Sequence, residues 1–127
     1  MRAVDSTRIL VIDHDEALCD GLDLLWSSYG HIVHTCRSLR EGRKLLGSLD
    51  IDALLIEGTN DATDLKAFCQ SVRKSGHDPQ LFLMLPQGQN PGTMLDDTGA
   101  SGFIEKPFLA MELLSRLAKR EDPEGEP

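Results

Sequence analysis

Two hydrophobic periods alternate along the chain. Unbroken apolar runs close on a polar or turn residue in "RILVID" (8–13), "ALLIE" (53–57) and "QLFLMLP" (80–86). Between them lie segments whose apolar residues recur three and four positions apart. The first pattern predicts strands buried on both faces, the second helices with one buried stripe.

In chain order, a strand over residues 8–13 leads into a helix in "DEALCDGLDLLWSSYG". That helix is carried by Leu18, Leu22, Leu25 and Trp26 and stopped by Gly30. A β-branched, alternating strand follows at Ile32 to Cys36. Ser38 with Glu41 then forms a capping box that opens the helix of "SLREGRKLLGSL". After the strand "ALLIE", Leu65, Phe68, Cys69 and Val72 share a face of the helix in "ATDLKAFCQSVRKSG". The fourth strand is residues 80–86. "QGQNPGTMLDDTGAS" is only weakly helical, because Pro91 and Gly92 sit inside it. A short strand over residues 103–105 precedes an amphipathic helix, "LAMELLSRLAKR", with its cations at the C-terminal end. Residues 1–7 are expected to be a polar leader, 8–120 one domain, and 121–127 an acidic Pro/Gly tail or the start of a linker. Five successive strand–helix units imply a parallel sheet covered on both faces, with right-handed crossovers.

The 127 residues, 40% hydrophobic and 27% charged, describe an ordinary globular domain without staples. A formal net charge of −8 argues against nucleic acid or an anionic membrane as direct partner, since phosphate selects for Lys and Arg. Cys19, Cys36 and Cys69 form no CxxC or Cys/His cluster, and their helix and strand positions suit core packing. Three unpaired thiols, no apolar leader and no membrane-length segment give a cytoplasmic expectation.

Candidate chemistry gathers where the strands end. The first strand runs into Asp13, His14, Asp15 and Glu16, the third ends in Glu57, and the fifth runs into Lys106 and Pro107. In open parallel sheets these carboxyl ends share one edge, where sites are built. Two acids beside a lysine could hold a divalent cation and an anionic phosphoryl group. Taken alone, "DHDE" reads first as exposed charges at the start of a loop; the three strand ends together favour a site.

Those three segments in register carry a resemblance. "RILVIDHDEAL", "DALLIEG" and "TGASGFIEKPF" resemble the first, third and fifth strand signatures of the receiver domains of two-component response regulators, over nearly all of residues 8–120. The resemblance implies a flavodoxin-like, doubly wound (βα)5 sheet of order 2-1-3-4-5. It also implies that Asp13 is the first acid of a magnesium site, Glu57 stands at the phosphoacceptor position, and Lys106 is the family's lysine. Pro107 is then a cis-proline candidate, and Pro86 and Phe103 occupy the switch positions. Asp13, Glu57 and the backbone carbonyl of Thr59 are the implied metal donors.

Several of these positions depart from the family's pattern. His14 replaces the second acid, and imidazole is a poor ligand for magnesium; Asp15, one residue on, does not substitute. Glu57 replaces the acceptor aspartate, and its extra methylene misplaces the nucleophile for in-line transfer. The same reach is expected to bring its carboxylate towards Lys106 as a partial, singly charged mimic of a phosphoryl group. Pro86 replaces a Ser or Thr hydroxyl, which leaves Phe103 without its usual trigger.

The expected function is a receiver that signals through protein contacts without phosphorylation, using the face of the fourth helix, fifth strand and fifth helix. Its partner would be a histidine kinase, an output domain or a second copy of itself. No cofactor is expected, with magnesium at most weakly held, and no enzymatic activity, since no nucleophile sits beside a base. Two alternatives stand beside it. One is a conventional phospho-accepting regulator served by a histidine kinase. The other is a flavodoxin-like module that binds a small molecule or cofactor, although no Gly-rich phosphate loop follows the first strand.

Overall fold

A five-stranded, wholly parallel sheet of order β2-β1-β3-β4-β5 runs through the centre of the computed structural model, which describes residues 6–118. In chain order the elements are β1 (Arg8–Ile12), α1 (Glu16–Ser28), β2 (Ile32–Cys36), α2 (Leu39–Leu46), β3 (Ala53–Glu57) and α3 (Ala62–Lys74). They continue with β4 (Gln80–Pro86), α4 (Met94–Thr98), β5 (Gly102–Lys106) and α5 (Ala110–Ala118). The five strand–helix units and the strand order are those read from the sequence. The leader through residue 5, the expected tail and the cationic end of the last helix (Lys119, Arg120) lie outside the described residues.

The alternation of side chains across the strands builds two cores. Ile9, Val11, Ala53, Leu55, Phe82 and Met84 pack under α1 and α5, against Cys19, Leu22, Trp26, Leu113 and Leu117. Leu10, Ile12, Leu54, Ile56, Leu81 and Leu83 face the other layer, against Leu46, Leu65, Phe68, Cys69 and Val72. Trp26 is fully buried, and its indole N–H donates to the Ala110 carbonyl (3.1 Å), tying α1 to the start of α5. The three thiols are buried, and burial pushes each up to about 11, the state of inert core cysteines.

Local signals act close to where they were read. Ser38 Oγ accepts from Glu41 N–H (3.1 Å), as a capping box requires, but the Glu41 carboxylate returns to Arg37 N–H (2.9 Å), one residue before the cap. β1 stops at Ile12, so Asp13 lies just past the strand, while β5 is longer than expected, reaching Gly102 and Lys106. α4 is five residues long and starts beyond Pro91 and Gly92. It is held at its end by Arg73 of α3, whose guanidinium donates to the carbonyls of Thr98 (2.8 Å) and Gly99 (3.0 Å). Gly99 adopts φ +75°, and a Cβ there would lie 2.6 Å from Arg73 Nη2.

Candidate functional site

Parallel pairing in register puts the carboxyl ends of β1, β3, β4 and β5 on one edge: Ile12 pairs with Ile56, Glu57 with Met84, and Pro86 with Lys106. Asp13 and Glu57 emerge there, both buried, at 1% and 8% exposed. Gly58 then turns the chain tightly against β4. Its N–H donates to the Met84 carbonyl (2.8 Å), and a Cβ would lie 2.3 Å from Leu85 Cδ2, so a larger residue would force the buried Leu85 side chain aside.

The charges on this edge sort into two pairs. Lys106 Nζ lies 2.7 Å from Asp13 Oδ2, and among the described residues the ammonium is that oxygen's one partner. Asp13 Oδ1 accepts from Asp15 N–H (2.9 Å), and the Asp15 carboxylate in turn caps α1 by accepting from Leu18 N–H (3.1 Å). Asp15 is therefore a helix cap and does not join the site. Glu57 belongs to the second pair. Its Oε1 accepts from the His14 ring Nδ1–H (2.7 Å) and from His14 N–H (3.2 Å), and its Oε2 accepts from the Thr59 hydroxyl (2.9 Å). Asn60 closes the loop by donating from Nδ2 to the Glu57 carbonyl (2.7 Å).

This corrects the expected Glu57–Lys106 contact. The lysine takes the acid that sits deepest, Asp13, and the longer carboxylate turns to the imidazole beside it. The side-chain donor atoms of Asp13, His14 and Glu57 converge, all within 4.8 Å of one another, so His14 joins the two acids expected to face a cation. Thr59 contributes a hydroxyl to Glu57. Of the roles read from the sequence, His14 as the partner of Glu57 and Thr59 as its hydroxyl donor were missed. The adjacency of His14 to Asp13 was the available signal.

The pairing moves both titrations. The hydrogen bond to Glu57, then the carboxylate's charge, hold the His14 imidazole above its ordinary value. Burial pushes the Glu57 carboxyl up, but hydrogen bonds from the His14 ring, the His14 backbone and Thr59 outweigh it and hold the group below its ordinary value. Both shifts favour the ionised form of the pair.

The remaining candidates frame the site. Pro86 is exposed at the end of β4, where it offers neither a hydroxyl nor an N–H. Phe103 is half-buried and packs into the core between the sheet and α2, α3 and α4. Lys106–Pro107 is a cis peptide, as expected. Glu105 accepts from Gly88 N–H (3.2 Å), which fastens the loop after β4 to β5.

Magnesium demands an oxygen cage close to octahedral. Here one of three convergent donors is an imidazole nitrogen, and one Asp13 oxygen is committed to an ammonium. The donor set does not fit magnesium.

Comparisons with known proteins agree with the topology. No protein-family model matches the chain. The chain is 32% identical over 111 residues to the response regulator MprA of Mycolicibacterium vanbaalenii, covering 87% of this chain and 48% of that protein. It is 32% identical over 123 residues to MprA of Mycobacterium tuberculosis (strain H37Rv), covering 94% and 54%. The chain thus spans about half the length of the curated relatives it matches. Among solved structures, the receiver domain of the Francisella response regulator 1452 superposes with TM-score 0.76 at 19% identity, covering 91% of this chain and 99% of that one. Chemotaxis response regulator CheY4 of Vibrio cholerae does so with TM-score 0.76 at 17% identity, covering 88% and 98%. No helix among the described residues is long and apolar enough to cross a membrane.

Proposed function

The chain belongs to the receiver-domain family of the response regulators, and from that premise we propose that it is a receiver signalling without an aspartyl phosphate. Glu57 stands at the acceptor position, His14 at the second acid and Pro86 at the switch hydroxyl. The observation that carries the reading is the engagement of Glu57. Both of its oxygens are hydrogen-bonded, one to His14 and one to Thr59, and the neighbouring lysine is committed to Asp13. A nucleophile must present a free oxygen in line with phosphorus. In Glu57 one oxygen is turned to His14 and the other to the Thr59 hydroxyl, no fitting magnesium site stands beside them, and Pro86 could not report a phosphoryl group if one arrived.

The output would then be a fixed shape. The His14–Glu57 and Asp13–Lys106 pairs neutralise the edge, and Arg73 pins α4. The α4–β5–α5 face is presented in one state to a protein partner: a histidine kinase, an output domain or a second copy. No reaction is catalysed, and no nucleic acid is contacted directly.

The test is incubation with magnesium and a small acyl-phosphate donor, followed by intact mass. No adduct is expected on the wild-type chain. The double variant His14→Asp with Glu57→Asp, which rebuilds an oxygen site and a shorter acceptor, is expected to gain the mass of one phosphoryl group. A stoichiometric wild-type adduct that disappears in Glu57→Ala would overturn the proposal.

A further inference from the structure

We propose that the Asp13–His14–Glu57 cluster binds a borderline divalent transition metal, of the zinc or cobalt kind, in preference to magnesium. Replacing the second acid would then have changed the ion this edge selects, leaving a cation site of a different kind.

The donors suit such an ion. His14 Nδ1 lies 2.7 Å from Glu57 Oε1 and 3.7 Å from Asp13 Oδ1. Ligands each about 2.1 Å from one ion sit about 3.0–3.4 Å apart, so these two separations bracket what an ion needs, and all three donors already lie within 4.8 Å of one another. Two carboxylates with one imidazole form a mixed N/O set that transition metals take readily and magnesium does not.

The supporting contacts are also in place. The Thr59 hydroxyl holds Glu57 Oε2, Asp15 N–H holds Asp13 Oδ1, and Lys106 holds the other Asp13 oxygen, Oδ2. Such outer contacts orient metal ligands and set much of their affinity. The carboxylates are buried, whereas the His14 side chain is 76% exposed. The ion therefore has a solvent approach and would keep water in its remaining positions. In the structure, a proton between Nδ1 and Oε1 occupies the place the metal would take.

The inference goes beyond the signalling proposal, and the two fail separately. A chain phosphorylated on Glu57 could still bind zinc, and an unphosphorylated one could bind no metal.

The test uses the full chain stripped with chelator and titrated with Zn2+, Co2+ and Mg2+. Calorimetry reads stoichiometry, and the visible spectrum of Co2+ reads nitrogen ligation. One Zn2+ or Co2+ per chain is expected, bound at least about tenfold more tightly than Mg2+. His14→Ala and Glu57→Gln should each weaken Co2+ binding by about tenfold or more and remove its visible bands. His14→Asp should reverse the preference towards Mg2+. The exposure of His14 keeps its variants foldable, which circular dichroism checks. Equal affinity for Mg2+ and Zn2+, or Co2+ binding and bands unchanged in His14→Ala, would overturn the proposal, since the ion would then sit on other histidines or thiols.

Discussion

Lys106→Met tests the division of charges at the sheet edge. The substitution removes the ammonium 2.7 Å from Asp13 Oδ2, leaving a carboxylate with no exposed surface, one hydrogen-bond donor in Asp15 N–H, and the His14 imidazole at 3.7 Å. Removing one partner of a buried pair costs about 3–5 kcal/mol, because the other charge stays behind uncompensated. The Lys106 side chain is 26% exposed, so water can enter the space it leaves and lower the cost to about 2–4 kcal/mol. At about 4 °C per kcal/mol for a domain of this size, Tm falls by about 8–16 °C.

The assay is urea unfolding and calorimetry of metal-free protein, extended to two double-mutant cycles. Lys106→Met with Asp13→Asn should show coupling of about 1–3 kcal/mol, because neutralising Asp13 removes the stranded charge. Lys106→Met with Glu57→Gln should couple more weakly, because Glu57 connects to Lys106 only through the 3.7 Å contact of His14 with Asp13. A Tm loss under about 2 °C, or stronger coupling to Glu57 than to Asp13, would refute the pairing and reinstate the contact expected from sequence.

Three further outcomes can be checked. The His14–Glu57 pair predicts a pH-dependent contribution in metal-free protein. The raised imidazole stabilises fully below about pH 6.5 and loses its contribution as pH rises through the folded-state value, while the depressed Glu57 carboxyl contributes above about pH 4.3 and fails only in acid. The Tm difference between wild type and His14→Gln should thus be positive near pH 6 and shrink towards pH 9; a difference that grows with pH would contradict it. Gly58→Ala should cost about 1–3 kcal/mol in chemical denaturation, since its Cβ meets Leu85 Cδ2 at 2.3 Å and the Met84 carbonyl at 3.3 Å; a neutral effect would mean that the turn moves freely. Arg73→Ala should cost about 1–2 kcal/mol and speed amide exchange in α4, whose last carbonyls it caps; unchanged exchange in Met94–Thr98 would show that α4 is held otherwise.

The parts of the fold that were legible are those governed by local periodicity. The continuous apolar runs of β1, β3 and β4 became strands covered on both faces, because a chain of that pattern can satisfy its backbone and bury its side chains only in an interior parallel sheet. Pro91 and Gly92 shortened α4 as their backbone chemistry requires. Strand order was not periodic information; it came from the resemblance of three strand-end signatures. The same signatures brought Asp13, Glu57 and Lys106 to one edge but could not pair them. Which acid meets which cation depends on side-chain reach and depth across elements 43 or more residues apart, where a single rotamer decides. Arg73 was unreadable for the same reason. Its sequence position suggests only a cation at a helix end, and its partners lie 25 and 26 residues away.

The departures at 14 and 57 make physical sense as a matched set. An aspartate at 57 would be one bond shorter, about 1.5 Å, and from a contact of 2.7 Å would fall to about 4 Å from His14, beyond a hydrogen bond. An acid at 14 would set a second carboxylate against Glu57 with no proton between them, a like-charge contact that only a cation could relieve. Glu57→Asp alone and His14→Asp alone should therefore each destabilise metal-free protein, the second being rescued in part by Mg2+. The double variant should depend on Mg2+ most of all, because both carboxylates then lack their cationic partner. Melting curves with and without Mg2+ across the four chains separate this coupling from independent tolerance. If the two single variants are harmless and additive, the pair at 14 and 57 is coincidence, and the engagement of Glu57 loses its explanation.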